Sequence, residues 1–257
     1  MTQPRAGGVH DVHVRHGSDS EEAELSGQPI PGHNSGNAHG LGAAQSVEIA
    51  VGSVLLRGDL TVPRPALGVV LFAHGSGSSR LSPRNRSVAA VLNRAGLGTL
   101  LFDLLTEAEA DDRGLVFDIL LLAARLESAV AWVRQQPVTA QLPIGLFGAS
   151  TGAAASLVAA ADLVDEIRAV VSRGGRPDLA GGRLGDVRAP SLLIVGGNDE
   201  VVADLNRDAQ RRLRCRTSLE VVRGATHLFE EPGALEAVAK LASRWFISAF
   251  ESSATQT

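Results

Sequence analysis

Apolar residues fall into two periods along this chain. Between residues 46 and 62 they alternate with polar ones around Gly52-Ser53, the period-two pattern of a half-buried antiparallel hairpin. Beyond residue 67 they gather into short segments, at 68–73, 99–105, 144–148, 169–173, 191–196 and 218–222, of which 68–73, 144–148 and 191–196 carry the most continuous apolar character. Runs this short and this apolar predict strands buried on both faces, as in a parallel sheet covered by helices. Between them lie stretches with helical spacing, near 85–95, 118–135, 151–161, 201–213 and 233–250. In the second of these, Ile119, Leu122, Leu126, Val130 and Val133 form one stripe that packs on a core. The alternation predicts an α/β fold: a doubly wound, mostly parallel sheet with an antiparallel N-terminal edge.

In such a sheet chemistry collects beyond the strand C-termini, so the residues that follow each run matter most. The run 144–148 leads into Gly148-Ala149-Ser150-Thr151-Gly152 and then a small-residue helix. A serine on a sharp strand-to-helix turn presents its hydroxyl clear of the backbone, at a helix N-terminus that favours developing negative charge. Flanking glycines remove side chains that would clash there. Ser150 is therefore the candidate nucleophile. The run 191–196 continues as Gly197-Asn198-Asp199, and 218–222 continues as Arg223-Gly224-Ala225-Thr226-His227. Asp199 and His227 complete the order nucleophile, acid, base. Histidine takes the serine proton during attack and returns it to the leaving group, while the aspartate fixes its tautomer. Asp178, which lies beyond Arg176-Pro177, is a second choice for the acid.

An oxyanion hole needs two N–H donors aimed at the tetrahedral intermediate. Thr151, next to the nucleophile, supplies one. Ser76, in the loop His74-Gly75-Ser76-Gly77-Ser78-Ser79, supplies the other, with Gly77 as the alternative. That loop lacks the Lys-Ser/Thr ending of a P-loop and the G-x-G-x-x-G spacing, and His74 reads as a structural residue. Arg173, at a strand end facing the same edge, either grips a substrate carboxylate by two hydrogen bonds or enters a structural ion pair.

With these motifs in place, residues 46 to 250 resemble the α/β-hydrolase superfamily and, within it, the dienelactone hydrolase-like branch. The supporting segments are His74-Gly75-Ser76-Gly77, Phe102-Asp103-Leu104-Leu105-Thr106, Gly148 to Gly152, Ser172 to Leu179, Gly196 to Val202 and Gly224 to Phe229. There is one departure. Dienelactone hydrolases use a cysteine nucleophile where this chain has Ser150, so dienelactone itself is not carried over as substrate. Domains of this kind also occur fused to phosphoribosyltransferases; no such segment is recognisable here. Many α/β-hydrolases insert a cap after the sixth strand, yet only residues 174–190 separate that strand from the next, too few for a large cap domain. The segment 105–116 is the expected cover. Its charged residues, Glu107, Glu109, Asp111, Asp112 and Arg113, make either a solvated loop or a substrate filter.

Composition narrows the picture further. A chain of 257 residues with 44% hydrophobic residues suffices for one large sheet domain. Its net charge of −4 favours neither nucleic acid nor an anionic membrane as partner. The single cysteine, Cys215, can form no internal disulfide. No signal-peptide core or transmembrane run is visible, and a cytoplasmic location is expected. Residues 1–44 are rich in Gly, His, Ser and Glu without apolar periodicity and are expected to be a disordered tail. His10, His13 and His16 within it lack partner ligands at zinc spacing. The hydrolase domain is expected over 45–251, with a flexible C-terminus at 252–257.

Together these features predict a serine hydrolase acting on a small to moderate carboxylic ester, thioester or lactone. No metal or organic cofactor is implied, because serine, histidine, aspartate and two amides complete the mechanism. Two alternatives stay open: an acyltransferase using the same acyl-enzyme, and a non-catalytic accessory or binding domain that keeps the fold. Nothing in the sequence indicates an oligomeric state.

Overall fold

The computed structural model describes residues 42–254. The tail expected over 1–44, with His10, His13 and His16, lies outside the described residues except for its last three positions. Strands β1 (Gln45–Val51) and β2 (Val54–Thr61) form the expected hairpin, with Val51 opposite Val54 across Gly52-Ser53. The chain then alternates: β3 (Gly68–Ala73), α1 (Pro83–Arg94), β4 (Leu97–Phe102), two short helices α2 (Glu107–Ala110) and α3 (Arg113–Val116), and α4 (Ile119–Gln135). It continues with β5 (Ile144–Ala149), α5 (Thr151–Asp162), β6 (Ile167–Arg173), a 3-10 stretch (Pro177–Asp186), β7 (Ser191–Gly196), α6 (Glu200–Arg212), β8 (Thr217–Val222) and α7 (Ala234–Ala254). The eight strands form one sheet in the order β1-β2-β4-β3-β5-β6-β7-β8. Strand β2 pairs antiparallel with both neighbours, and every other pairing is parallel.

Both faces of the sheet are covered, which explains why β3, β5 and β7 read as apolar runs buried at every position. Along β3, Val69 and Leu71 face one core layer, with α4 and α5, while Val70 and Phe72 face the other, with α1 and α7. Phe72 stacks on Phe147 of β5 with ring centroids 4.8 Å apart. Helix α5 is buried from Thr151 to Ala161, and its run of alanines lets it lie close against the sheet.

Three boundaries differ from the sequence expectation. Strand β4 ends at Phe102 rather than at 105, because Asp103 is held by Arg80 and the Leu104 N–H by His74. Segment 105–116 contains α2 and α3, the first started by a capping box in which Thr106 and Glu109 satisfy each other's N–H groups. Helix α7 continues to Ala254, past the boundary expected at residue 251; the Ser252 hydroxyl donates to the Ser248 carbonyl at 2.8 Å, carrying the helical pattern on. Between β6 and β7 only the 3-10 stretch intervenes, so among the described residues no large cap domain is inserted there. Among the described residues no helix is long and apolar enough to cross a membrane.

Candidate active site

Ser150 sits between β5 and α5 with φ 50° and ψ −119°, a conformation few non-glycine residues adopt, at a cost of about 1–3 kcal/mol. Its neighbours hold it there. The Ser150 N–H donates to the Arg173 carbonyl of β6 at 3.3 Å, and the Ser150 carbonyl accepts from Arg176 and Ala153, each at 3.1 Å. The flanking glycines serve close approach: a Cβ at Gly148 would strike the Ala153 backbone, and one at Gly152 would strike the Ala73 carbonyl. The sequence places glycine where α5 must meet the ends of β3 and β5.

His227 Nδ1 donates to Asp199 Oδ2 at 2.7 Å. That bond leaves Nε2 as the nitrogen free to act as base. Asp199 follows β7 and His227 follows β8, and three bonds tie their loops together: Gly197 N–H to the Val222 carbonyl and Asn198 N–H to the Ala225 carbonyl, each at 2.9 Å, and Asn198 Nδ2 to the Gly224 carbonyl at 3.0 Å. His227 rests over Gly174, where a Cβ would lie 3.5 Å from the ring Cε1. Gly174 adjoins Arg173, whose carbonyl binds the Ser150 N–H, so His227 packs one residue beyond the point of β6 that holds the serine backbone. The same loop is held from below by Glu231, whose carboxylate accepts from the Thr226 N–H at 3.0 Å. This bond holds the Glu231 carboxyl below its ordinary range. Asp178 instead grips Arg176 through two bonds of 2.9 and 2.8 Å. The structure thus brings Asp199, and not Asp178, to His227.

The loop after β3 turns at Gly75 to Ser78, where the Ser78 N–H meets the Gly75 carbonyl at 3.2 Å and Gly77 takes φ 67°, the left-handed value such a turn assigns to glycine. Gly75 packs on the nucleophile; a Cβ there would lie 3.0 Å from Ser150 Cβ. The Ser76 N–H, expected to face the oxyanion, donates to Thr151 Oγ1 at 2.9 Å. His74 braces this loop against the one after β4. Its Nε2 accepts from the Leu104 N–H at 3.1 Å, which leaves Nδ1 to carry the proton and donate to the Gly75 carbonyl at 3.0 Å. Burial lowers the His74 pKa, outweighing the Gly75 carbonyl and Asp103, so the ring is a neutral brace, as expected of a structural residue. Arg80 ties the far end of the loop to Asp103 through its N–H at 2.7 Å and Nη1 at 2.6 Å.

Beside this loop opens a cavity of about 640 Å³. Leu55, Leu81, Leu104, Leu105, Val116 and Leu122 give it an apolar lining, and Ser76 and Thr151 also face it. Segment 105–116 forms one wall. Its charges are divided: Glu109 pairs with the buried Arg125 at 2.9 Å, and Glu107 with Arg57 at 3.6 Å on the surface. Arg173 is buried, with Nε and Nη1 sealed from solvent and unpartnered, 5.9 Å from the centroid of Phe229. Burial, aided by Arg84, lowers its pKa to about 10, so it stays charged at neutral pH. A two-point grip on a carboxylate needs adjacent free nitrogens, and the sealing of two of the three leaves no such pair. Among the described residues no cluster of three or more His, Cys, Asp or Glu is placed to hold a metal ion.

No protein-family model matches the chain. The crystal structure of dienelactone hydrolase from Anabaena variabilis is 55% identical, with a TM-score of 0.79, and the match covers 80% of this chain and 98% of that one. Est1E from Butyrivibrio proteoclasticus is 15% identical with a TM-score of 0.69, over 80% and 99% of the two chains. A dienelactone hydrolase-like promiscuous phosphotriesterase from metagenomic libraries is 20% identical with a TM-score of 0.65, over 83% and 99%. At these lower identities the likeness is one of fold. Two Mycobacterium tuberculosis proteins, from different strains and provisionally named phosphoribosyl transferases, are 62% identical over 203 residues, 79% of this chain and 46% of theirs. The chain spans about half the length of the curated relatives it matches.

Proposed function

The chain belongs to the dienelactone hydrolase-like branch of the α/β-hydrolase superfamily, and from that premise we propose that it is a serine hydrolase cleaving a carboxylic ester, thioester or lactone of small to moderate size. The observation that carries the proposal is the 2.7 Å bond from His227 Nδ1 to Asp199 Oδ2, set beside a serine held at positive φ on the elbow of β5 and α5. In the proposed reaction Ser150 Oγ attacks the acyl carbon as its proton passes to His227 Nε2, and the carbonyl electron pair moves onto oxygen. Collapse of that intermediate expels the alcohol or thiol, which takes the proton back. Water then repeats the sequence on the acyl-enzyme, with His227 again as base. Asp199 holds the imidazole in the productive tautomer throughout.

The 640 Å³ cavity, lined by Leu55, Leu104, Leu105 and Leu122 together with Arg57, Arg80 and Glu107, suits a substrate with both apolar and polar parts. The transferase name of the Mycobacterium tuberculosis proteins belongs to chains of which 46% is matched; the shared segment carries acyl-transfer chemistry, and we place any phosphoribosyl transfer outside it.

A chain-length series of p-nitrophenyl esters, on the wild type and Ser150→Ala, tests the proposal. The wild type should turn over short and medium chains, and the substitution should lower kcat on the order of 10⁴-fold or more without changing the fold. Full activity in a folded Ser150→Ala protein would remove the serine from the mechanism.

A further inference from the structure

We propose that the Thr151 hydroxyl is itself a donor of the oxyanion hole, polarised from behind by the Ser76 N–H. The proposal rests on the serine hydrolase reading above. A hole needs two donors aimed at the developing charge. The Thr151 N–H is one, since it opens α5, where N–H groups have no intrahelical acceptor. The Ser76 N–H is already committed to Thr151 Oγ1 at 2.9 Å, and we take the second donor from that contact rather than from the alternative, Gly77, which is exposed at the corner of the turn.

A hydroxyl carries one hydrogen and two lone pairs. In accepting from Ser76, Thr151 Oγ1 uses a lone pair and keeps its hydrogen. Two other buried hydroxyls spend that hydrogen on a nearby carbonyl: Ser156, on the same helix, donates to Gly152 at 2.8 Å, and Thr139 donates to Val133 at 2.7 Å. Thr151 has no such outlet. The residue four positions earlier, Phe147, belongs to β5, and among the described residues the Thr151 hydroxyl donates to nothing. The side chain is buried, only 3% exposed, and lines the cavity together with Gly75 and Ser76. Gly75 in turn packs 3.0 Å from Ser150 Cβ, measured from the Cβ it lacks, which keeps the whole contact beside the nucleophile. A hydroxyl that accepts a hydrogen bond donates a stronger one. The Ser76 N–H therefore acts at one remove, and Thr151 supplies both an N–H and an O–H.

The same contact admits an opposite role, in which the hydroxyl blocks the Ser76 N–H and holds the hole closed. The two differ in sign when the hydroxyl is removed. We would measure the rate at which a fluorophosphonate labels Ser150, a reaction that requires no known substrate. In it Ser150 Oγ forms a P–O bond as the P–F bond breaks, fluoride leaves with the bonding pair, and the serine proton passes to His227 Nε2. Charge builds on the phosphoryl oxygen in the hole. Thr151→Val keeps the shape, and it should slow labelling roughly 10²–10³-fold with little change in Tm. Thr151→Ser, which restores a hydroxyl, should label within about fivefold of the wild-type rate. Thr151→Ala serves in place of the valine variant if that one does not fold, with the same expected loss. Labelling of Thr151→Val or Thr151→Ala at the wild-type rate or faster would overturn the proposal while leaving the hydrolase reading intact. A wild type that resists labelling altogether overturns the hydrolase reading, and the donor role with it.

Discussion

In the proposed mechanism a single hydrogen bond at Asp199 decides whether His227 can act. The carboxylate accepts from Nδ1 at 2.7 Å, and an amide in its place can present its NH₂ group and favour the wrong tautomer. Asp199→Asn should therefore lower kcat by roughly 10³ to 10⁴ with KM little changed. Asp178→Asn should leave kcat near wild type, because its carboxylate is occupied by Arg176 and its loss costs only about 0–1 kcal/mol of a half-exposed pair. Steady-state kinetics on the two variants checks this, and a reversal of the two effects would move the acid to Asp178. Ser150 and Asp199 are legible in the sequence because each follows a short apolar run that forms a buried strand, and His227 because it follows the last strand, β8, in the order the fold requires. The contact of Ser76 with Thr151 is not. It joins residues 75 positions apart, and the side-chain direction that makes it is set by how α5 seats against β3. Arg173 is half legible: its place at a strand end could be read, but the sealing of two of its nitrogens depends on Phe229 and the loop after β8.

The elements around the site are joined by braces whose charge state matters. His74 links the loops after β3 and β4 as an acceptor at Nε2 and a donor at Nδ1, and protonation would remove the acceptor. Burial lowers its pKa from the ordinary 6.5, so the unfolded chain takes up the proton first as the pH falls. Its contribution to stability is whole above about pH 6.5 and declines as the pH drops from there toward the lowered folded value. Thermal unfolding from pH 8 to pH 5 should show this decline in the wild type and a smaller one in His74→Gln, whose amide can copy both bonds. Equal slopes would show that His74 is not the titrating brace. At this scale the long helices and the parallel strands could be read from their period. Helices α2 and α3 could not, since four residues each carry no stripe, and their stability comes from caps and from the Glu109–Arg125 pair. The 3-10 stretch, interrupted at Gly181 with φ 56°, likewise has no periodic signal.

Across the whole molecule, the sheet sets the three candidate residues on one edge. Strands β5, β7 and β8 run parallel, so the residues that follow them emerge on the same side, and α5 directs its N-terminus there as well. The doubly wound architecture is legible from alternating strand and helix runs, and the antiparallel edge from the hairpin pattern. The strand order is not, because the crossing of β4 to lie between β2 and β3 depends on which apolar faces meet in space. We propose that this edge is a working acyl-transfer centre built on Ser150. Its most direct test is the intact mass of the full chain after treatment with a fluorophosphonate, followed by peptide mapping, in the wild type and in His227→Ala. One adduct per chain is expected, located on the peptide bearing Ser150 and formed far more slowly without His227. No adduct in the wild type, an adduct on another residue, or equal labelling in His227→Ala would contradict it.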